Sequence, residues 1–370
     1  MRRLLALGSL LSLLLVGSIA HAQTTDLKPD EYATARVTQV TTHEDKPVAG
    51  STVSTHVTIY TVELLSGQEN GQIRSIEEVS ESATDPSFRK GETIVVGKRT
   101  NADASTTYYA VDTYRLPAMT WLTLLFFAVA IIVGKRHGAF SILGLGLTAL
   151  MIIFFVVPRI ASGHNPLATS LIACFVIVTV SLYLGHGFNQ RTTVALVSTL
   201  ITLSFTAWVA LKFVAWTSLM GTGSEEVFFL QSIGLENINT RGLLLGGIML
   251  GVLGILDDIT TAQSAVVDEL QQANPKLNTG ELYRRGISVG REHIASLINT
   301  LFLAYAGVSI PLFLLFSNTD QPVWFIVNSA PIAEEIIRTV IGSLCLVLAV
   351  PLTTAIAAHW FGTQQKKIAS

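Results

Sequence analysis

The stretch that decides the fold is 241-RGLLLGGIMLGVLGILDDITTAQSAVVDEL-270. Its apolar part, Gly242 to Leu256, is almost long enough to cross a bilayer, and it ends on two adjacent acids, Asp257 and Asp258. The helical pattern then continues through polar residues. Glycines 242, 246, 247, 251 and 254 form a small-residue stripe of the kind that lets helix backbones approach closely in lipid. Beyond the stripe, Asp257, Thr261, Ser264 and Asp268 share one helical face. At about 1.5 Å per residue, Asp257 lies roughly 24 Å from Arg241, toward one interface and away from the midplane. Acids in or near a membrane are costly and mark a functional site by default.

The rest of the chain agrees with a membrane setting. Half of its 370 residues are hydrophobic and 14% are charged, with a mean hydropathy of +0.52. That composition excludes an ordinary globular enzyme. A net charge of −2 gives no footprint for nucleic acid, and the eight His have no metal-ligand spacing. No cofactor is expected. Cys174 and Cys345 lie in apolar segments and read as small core residues.

At the N-terminus, Arg2 and Arg3 precede an apolar run, Leu4–Ile19, and Ala20-His21-Ala22 fits a cleavage site. Residues 1–22 therefore read as a signal peptide. Residues 23–115 are polar and rich in Thr, Ser and Val. Period-two segments at Ala35–Val40, Val53–Leu65, Gln72–Val79, Thr93–Lys98 and Thr107–Thr113 alternate with turns such as Ser66-Gly67, Asn70-Gly71 and Lys90-Gly91. The spacing predicts a small extracytoplasmic β-barrel or sandwich.

From 116 to 370 the chain reads as a polytopic α-helical membrane domain of about seven spans. The candidates are 117–133, 139–157, 166–185, 193–215, 242–264, 293–316 and 335–358. Lys135, Arg136, Arg191, Lys276, Arg284, Arg285, Arg291, Lys366 and Lys367 collect on one side, leaving Arg159, Lys212 and Arg241 for the other. The positive-inside rule then places the β-domain outside a bacterial plasma membrane and the C-terminus in the cytoplasm.

Two further constellations join Asp257, Asp258 and Thr261. Glu292 and His293, with Arg291, open the sixth span, which runs antiparallel to the fifth. They are expected at the depth of the acid pair, as an ion-pair network or as a proton or cation site. Glu334, Glu335 and Arg338 follow Pro331 at the start of the seventh span, where Glu334 and Arg338 stand four apart and are expected to pair. Pro311 and Pro351 are expected to break or kink their helices, as transporters do around ion sites.

A paired-Glu intramembrane protease is a tempting alternative. Its motif needs three residues between the second Glu and the Arg, and here there are two. The fourth residue after His293 is Leu297 and not Asn or Asp. Nucleotide-binding and H-E-x-x-H motifs are absent from the sequence. No enzyme is expected.

The segments GGIMLGVLGILDDITTAQSAVVDEL, ELYRRGISVGREHIASLINTLFLAYAG and APIAEEIIRTVIGSLCLVLAVPLTTAIAA resemble the YibE/F-like family of bacterial membrane proteins. The resemblance implies a multi-pass chain with an extracytoplasmic N-terminal region, and it assigns no site residues. Two functions fit the residues. One is a transporter or permease for a small ion or solute, with Asp257 and Asp258 holding a proton or cation. The other is a non-catalytic scaffold or receptor in the lipid bilayer, whose residues 23–115 bind a protein partner.

Overall fold

The computed structural model describes residues 31–44, 56–80, 87–100 and 105–368. The signal-peptide segment 1–22 lies outside them. The chain divides into two compact units, one at His21–Val129 and the other including Ala130–Ser370.

In the first unit the period-two segments become strands β1 (Glu31–Glu44), β2 (His56–Leu64), β3 (Ile73–Ser80), β4 (Thr93–Thr100) and β5 (Thr106–Thr113). They form one antiparallel sheet in the order β3-β2-β1-β4-β5. The long β1 pairs with β2 along one edge and β4 along the other, with a register shift between Val37 and Gln39. Alternation sorts the side chains: Ala35 and Val37, Tyr60, Val62 and Leu64, and Ile94 and Val96 are all buried. Phe88 covers Tyr60 edge-on, with ring centroids 5.4 Å apart. Burial pushes the Tyr60 hydroxyl up to about 12, and its hydrogen bond to the Glu78 carboxylate at 2.8 Å adds to the shift. Gly67, Gly71 and Gly91 adopt φ near +90° at the reversals, where a Cβ would be strained.

The sheet curls into a half-barrel. Its edge strands approach where the Arg74 guanidinium on β3 lies 5.3 Å from the Tyr108 ring on β5. Glu69, in the β2–β3 turn, ties the curl together. Its carboxylate accepts from Lys98 Nζ at 2.6 Å, Tyr108 Oη at 2.6 Å and Arg74 Nη2 at 2.8 Å. These donors hold it well below the usual carboxylate range, at about 2, with Lys98 the largest influence.

The helices are α1 (Leu116–Ala161), α2 (Pro166–His186), α3 (Gln190–Trp216), α4 (Glu225–Ser232), α5 (Thr240–Ala273), α6 (Thr279–Val308), α7 (Ile310–Ser317), α8 (Val323–Asn328) and α9 (Ala330–Ile368). Among the described residues, five helices are long and apolar enough to cross a membrane: α1, α2, α3, α5 and α9. The bent pair α6–α7 makes six if counted as one span. The expected seven are not reached because 117–133 and 139–157 both fall inside the 46-residue α1. That segment is interrupted at Lys135, whose backbone (φ 50°, ψ −128°) is non-helical. A Cβ on Gly138 would sit 2.0 Å from the Ala130 carbonyl oxygen, so the chain doubles back tightly at the break.

Helix α5 lies at the centre of the helical unit and packs against α2, α3, α6 and α9. The glycine stripe explains one of those contacts. Cβ atoms on Gly242 and Gly246 would meet Pro166 at 3.0 Å and the Ser170 hydroxyl at 2.5 Å, whereas Gly247 and Gly254 face open space. A second small-residue pair, Gly286 and Gly290 on α6, lets α9 approach. Buried Gln263 of α5 fills the junction and donates to the Gly286 carbonyl at 2.9 Å and to Thr354 Oγ1 at 2.7 Å. The α6–α7 bend is 59°, with Pro311 in the first turn of α7, as its proline predicts. By contrast, α9 runs through Pro351 as one helix.

Candidate functional site

Two polar places interrupt the apolar body of the helical unit. The first surrounds Asp257 in the middle of α5. Ser181 of α2 donates to its Oδ2 at 3.5 Å. Its Oδ1 is shut off from solvent and, among the described residues, has no hydrogen-bond partner, and the same holds for the Thr261 hydroxyl one turn on. A Cβ on Gly144 of α1 would lie 3.4 Å from the Ser181 hydroxyl, so α1 also borders this place. No cation pairs with Asp257 among the described residues. The face predicted for Asp257, Ser264 and Asp268 is real, but its partners are α2 and the start of α3. Ser264 donates to the Arg191 carbonyl at 3.0 Å, and Asp268 and Glu269 take the Arg191 guanidinium as an ion pair.

The expected network with α6 does not form. Asp258, Arg291, Glu292 and His293 are exposed, and among the described residues none of them makes an ion pair or side-chain hydrogen bond. The reason is rotational. Gln263, which meets α6, stands six residues after Asp257, about 240° around the helix. The surface of α5 that meets α6 is therefore not the one that carries the acid. On α6, Glu292 lies about 200° from Gly290, the residue packed against α9, and so points away from the bundle.

The second place is an open cleft of about 630 Å³. Four acids, Glu225, Glu226, Glu334 and Glu335, line it against one guanidinium, Arg338, with Pro311 of the α6–α7 bend on the far wall. Each element brings its residue for a local reason. Ser224 caps α4 by accepting from the Val227 N–H, which puts Glu225 and Glu226 in the first turn, where the helix dipole favours acids. Glu334 is 5% exposed and accepts from the Gly223 N–H at 3.1 Å. A Cβ on Gly223 would come 2.9 Å from the Glu334 carboxyl carbon and 3.0 Å from the Ala330 backbone, so only glycine fits there without movement.

This arrangement corrects the pairing expected for α9. Arg338 bonds Glu335, three residues back, at 2.5 Å, and Glu334 turns to the backbone of Gly223. Burial of the Glu334 side chain against the loop takes it out of hydrogen-bond reach of the guanidinium. Tyr305 of α6 packs against α5 beside the acidic cleft. Its hydroxyl occupies the space that a Cβ on Gly251 would need, 3.1 Å away, and its ring is within electrostatic reach of Glu335 and Arg338.

Sequence reasoning missed Ser181, Gly223, Glu225 and Glu226. The last two were legible as a Ser-Glu-Glu helix start at 224–226 inside a stretch that otherwise reads as a hydrophilic loop. Ser181 carries no local signal, because only tertiary packing brings α2 to Asp257. Among the described residues no group of three or more His, Cys, Asp or Glu side chains is placed to hold a metal ion.

The family model of the YibE/F-like proteins matches residues 122–363, and the chain belongs to that family. The match covers all the apolar helices and both polar places. No curated protein and no solved structure matches the chain.

Proposed function

Taking membership of the YibE/F-like family as the premise, we propose that this multi-pass membrane protein is a permease for a small cation. The observation that carries the reading is Asp257. Asp257 is half-buried among apolar helices with one carboxylate oxygen shut off from solvent, and without a cationic partner such an acid is favoured when a proton or a bound cation neutralises it. The unpartnered Oδ1 of Asp257 and the Thr261 hydroxyl supply oxygens of the kind that hard cations take. The acidic cleft at Glu334 and Glu335 is the entrance, where four carboxylates against one guanidinium concentrate cations. Asp258, Glu292 and His293 flank the exit as exposed groups. The membrane domain has seven spans, with the two halves of α1 on either side of Lys135 counted separately and α6–α7 as one. The β-domain then lies outside and the C-terminus inside a bacterial plasma membrane.

The competing reading, a scaffold whose charges only hold helices in register, expects those charges to be matched. Arg191 with Asp268 and Glu269 fits that description, but Asp257 does not. Purified protein in liposomes that enclose a pH-sensitive or a sodium-sensitive dye provides the test. Cation entry above the rate of empty liposomes is expected for wild type, and its loss for Asp257→Asn with Asp258→Asn. Equal entry in both would remove these acids from the pathway. The absence of entry in wild type for either cation would remove the permease reading.

A further inference from the structure

We propose that the cleft between the break in α1 and the α2–α3 turn is a binding site for an anionic phospholipid. It is independent of the acidic cleft and of Asp257. Its volume is about 470 Å³, a size suited to a headgroup and the first part of its chains. The wall is apolar and aromatic: Phe140, Val180, Leu184 and a stacked pair, Tyr183 and Phe188, with centroids 4.4 Å apart. The rim is basic: Arg136, His137 and His186 line it, and no carboxylate does. An apolar slot with one guanidinium and two imidazoles at its rim matches a phospholipid in both halves, the acyl chains on the rings and the phosphate on the guanidinium.

The local backbone is built to hold that rim. Lys135 sits at φ 50°, ψ −128°, a costly conformation for a residue with a side chain, and it sets Arg136 and His137 at the start of the returning helix. Gly138 makes the return feasible, because a Cβ there would strike the Ala130 carbonyl. On the other side, Gly187 at φ 77° ends α2 immediately after His186, and its N–H bonds the Tyr183 carbonyl. His137 Nδ1 lies 3.4 Å from the Gly185 carbonyl, which links the two sides and leaves Nε2 without a partner among the described residues. Among the described residues the Arg136 guanidinium has no carboxylate partner, so its donors are free for a phosphate.

The test uses full-length protein delipidated in a neutral detergent. It is given equal amounts of phosphatidylglycerol and phosphatidylcholine and read by native mass spectrometry for retained lipid. Wild type is expected to enrich phosphatidylglycerol. Arg136→Gln should reduce that enrichment about fivefold, the worth of one basic residue at an anionic surface. Arg136→Gln with His137→Gln and His186→Gln should bring it to parity. Lys212→Gln, which removes a cation on another helix, should leave it unchanged. Phe188→Ala, which keeps every charge, should weaken retention of both lipids. Equal retention of the two lipids by wild type would overturn the proposal, as would an unaltered enrichment in the triple variant or an equal loss with Lys212→Gln. Displacement of the lipid by millimolar inorganic phosphate would show a phosphate site without a lipid requirement, and would also overturn it.

Discussion

Gly290→Ala should destabilise the helical unit, although alanine is the better helix former. The sign comes from two opposing terms. Replacing a mid-helix glycine with alanine gains about 0.5–1 kcal/mol in backbone entropy and propensity. Against this, the new methyl would lie 2.4 Å from Val350 Cγ1 and 3.0 Å from Gln263 Oε1. Ordinary carbon contacts are about 3.5–4.0 Å, so the valine must retreat by more than an ångström. Val350 is fully buried in α9 and β-branched, with one preferred rotamer on a helix, so the side chain cannot swing aside. Overpacking of this kind costs about 1–3 kcal/mol. Pushing α9 away also strains the Gln263 bonds to Gly286 and Thr354, which are buried and costly to leave unmade. The net expectation is a loss of about 1–2 kcal/mol. Gly247→Ala is the control: its Cβ meets nothing within 4 Å, so only the propensity gain remains. Thermal unfolding of both variants in one detergent, followed by helical circular dichroism, should place Gly290→Ala below wild type and Gly247→Ala at or above it. If Gly290→Ala melts at or above wild type, the close approach of α6 and α9 at this glycine is wrong. If both variants fall together, the difference between a packed and an open glycine has no force here.

Two further outcomes are expected. Gly223→Ala should destabilise the contact between the loop before α4 and the start of α9 by about 1–3 kcal/mol, because its methyl meets Ala330 backbone, which cannot rotate away. Glu334→Gln keeps an acceptor for the Gly223 N–H and should cost less by the same melting assay; the reverse order would refute this packing. In the β-domain, Glu69 has a folded value of about 2 against an ordinary 4.5, so its stabilisation is complete above pH 4.5 and is lost as pH falls toward 2. With its carboxylate 23% exposed, the contribution is about 1–2 kcal/mol after solvent screening. Pulsed hydrogen exchange of β3 and β5 in the full-length protein should show protection declining over that window in wild type and no decline in Glu69→Gln. A flat wild-type profile would refute the assignment.

The elements were legible in the sequence, and their mutual facing was not. Period-two runs marked all five strands because one face of the sheet is buried, and a one-residue slip would expose Tyr60, Val62 and Leu64 together. Apolar length marked the helices, and Pro311 marked the bend after α6. Failure began where a helix is buried on several sides. In α5 Asp257, Gly242 and Gly246 look toward α2, Ser264 and Asp268 toward the start of α3, Gly251 toward α6, and Gln263 toward α6 and α9. A helix packed by four neighbours carries no single polar face from which a partner could be read. The antiparallel run of the sixth span puts Glu292 and His293 at the depth of the acid pair. Depth is silent about the rotation of the helix. Rotation was set by Gly286 and Gly290, whose spacing of four on α6 is visible in the sequence and marks the face that α9 approaches. With that face fixed by the two glycines, the helical repeat alone puts Glu292 on the side opposite the contact. In membrane helices the small residues, more than the charged ones, indicate which faces meet. A charge left over after those faces are assigned, as Asp257 is here, is the place at which the proposed cation is to be tested.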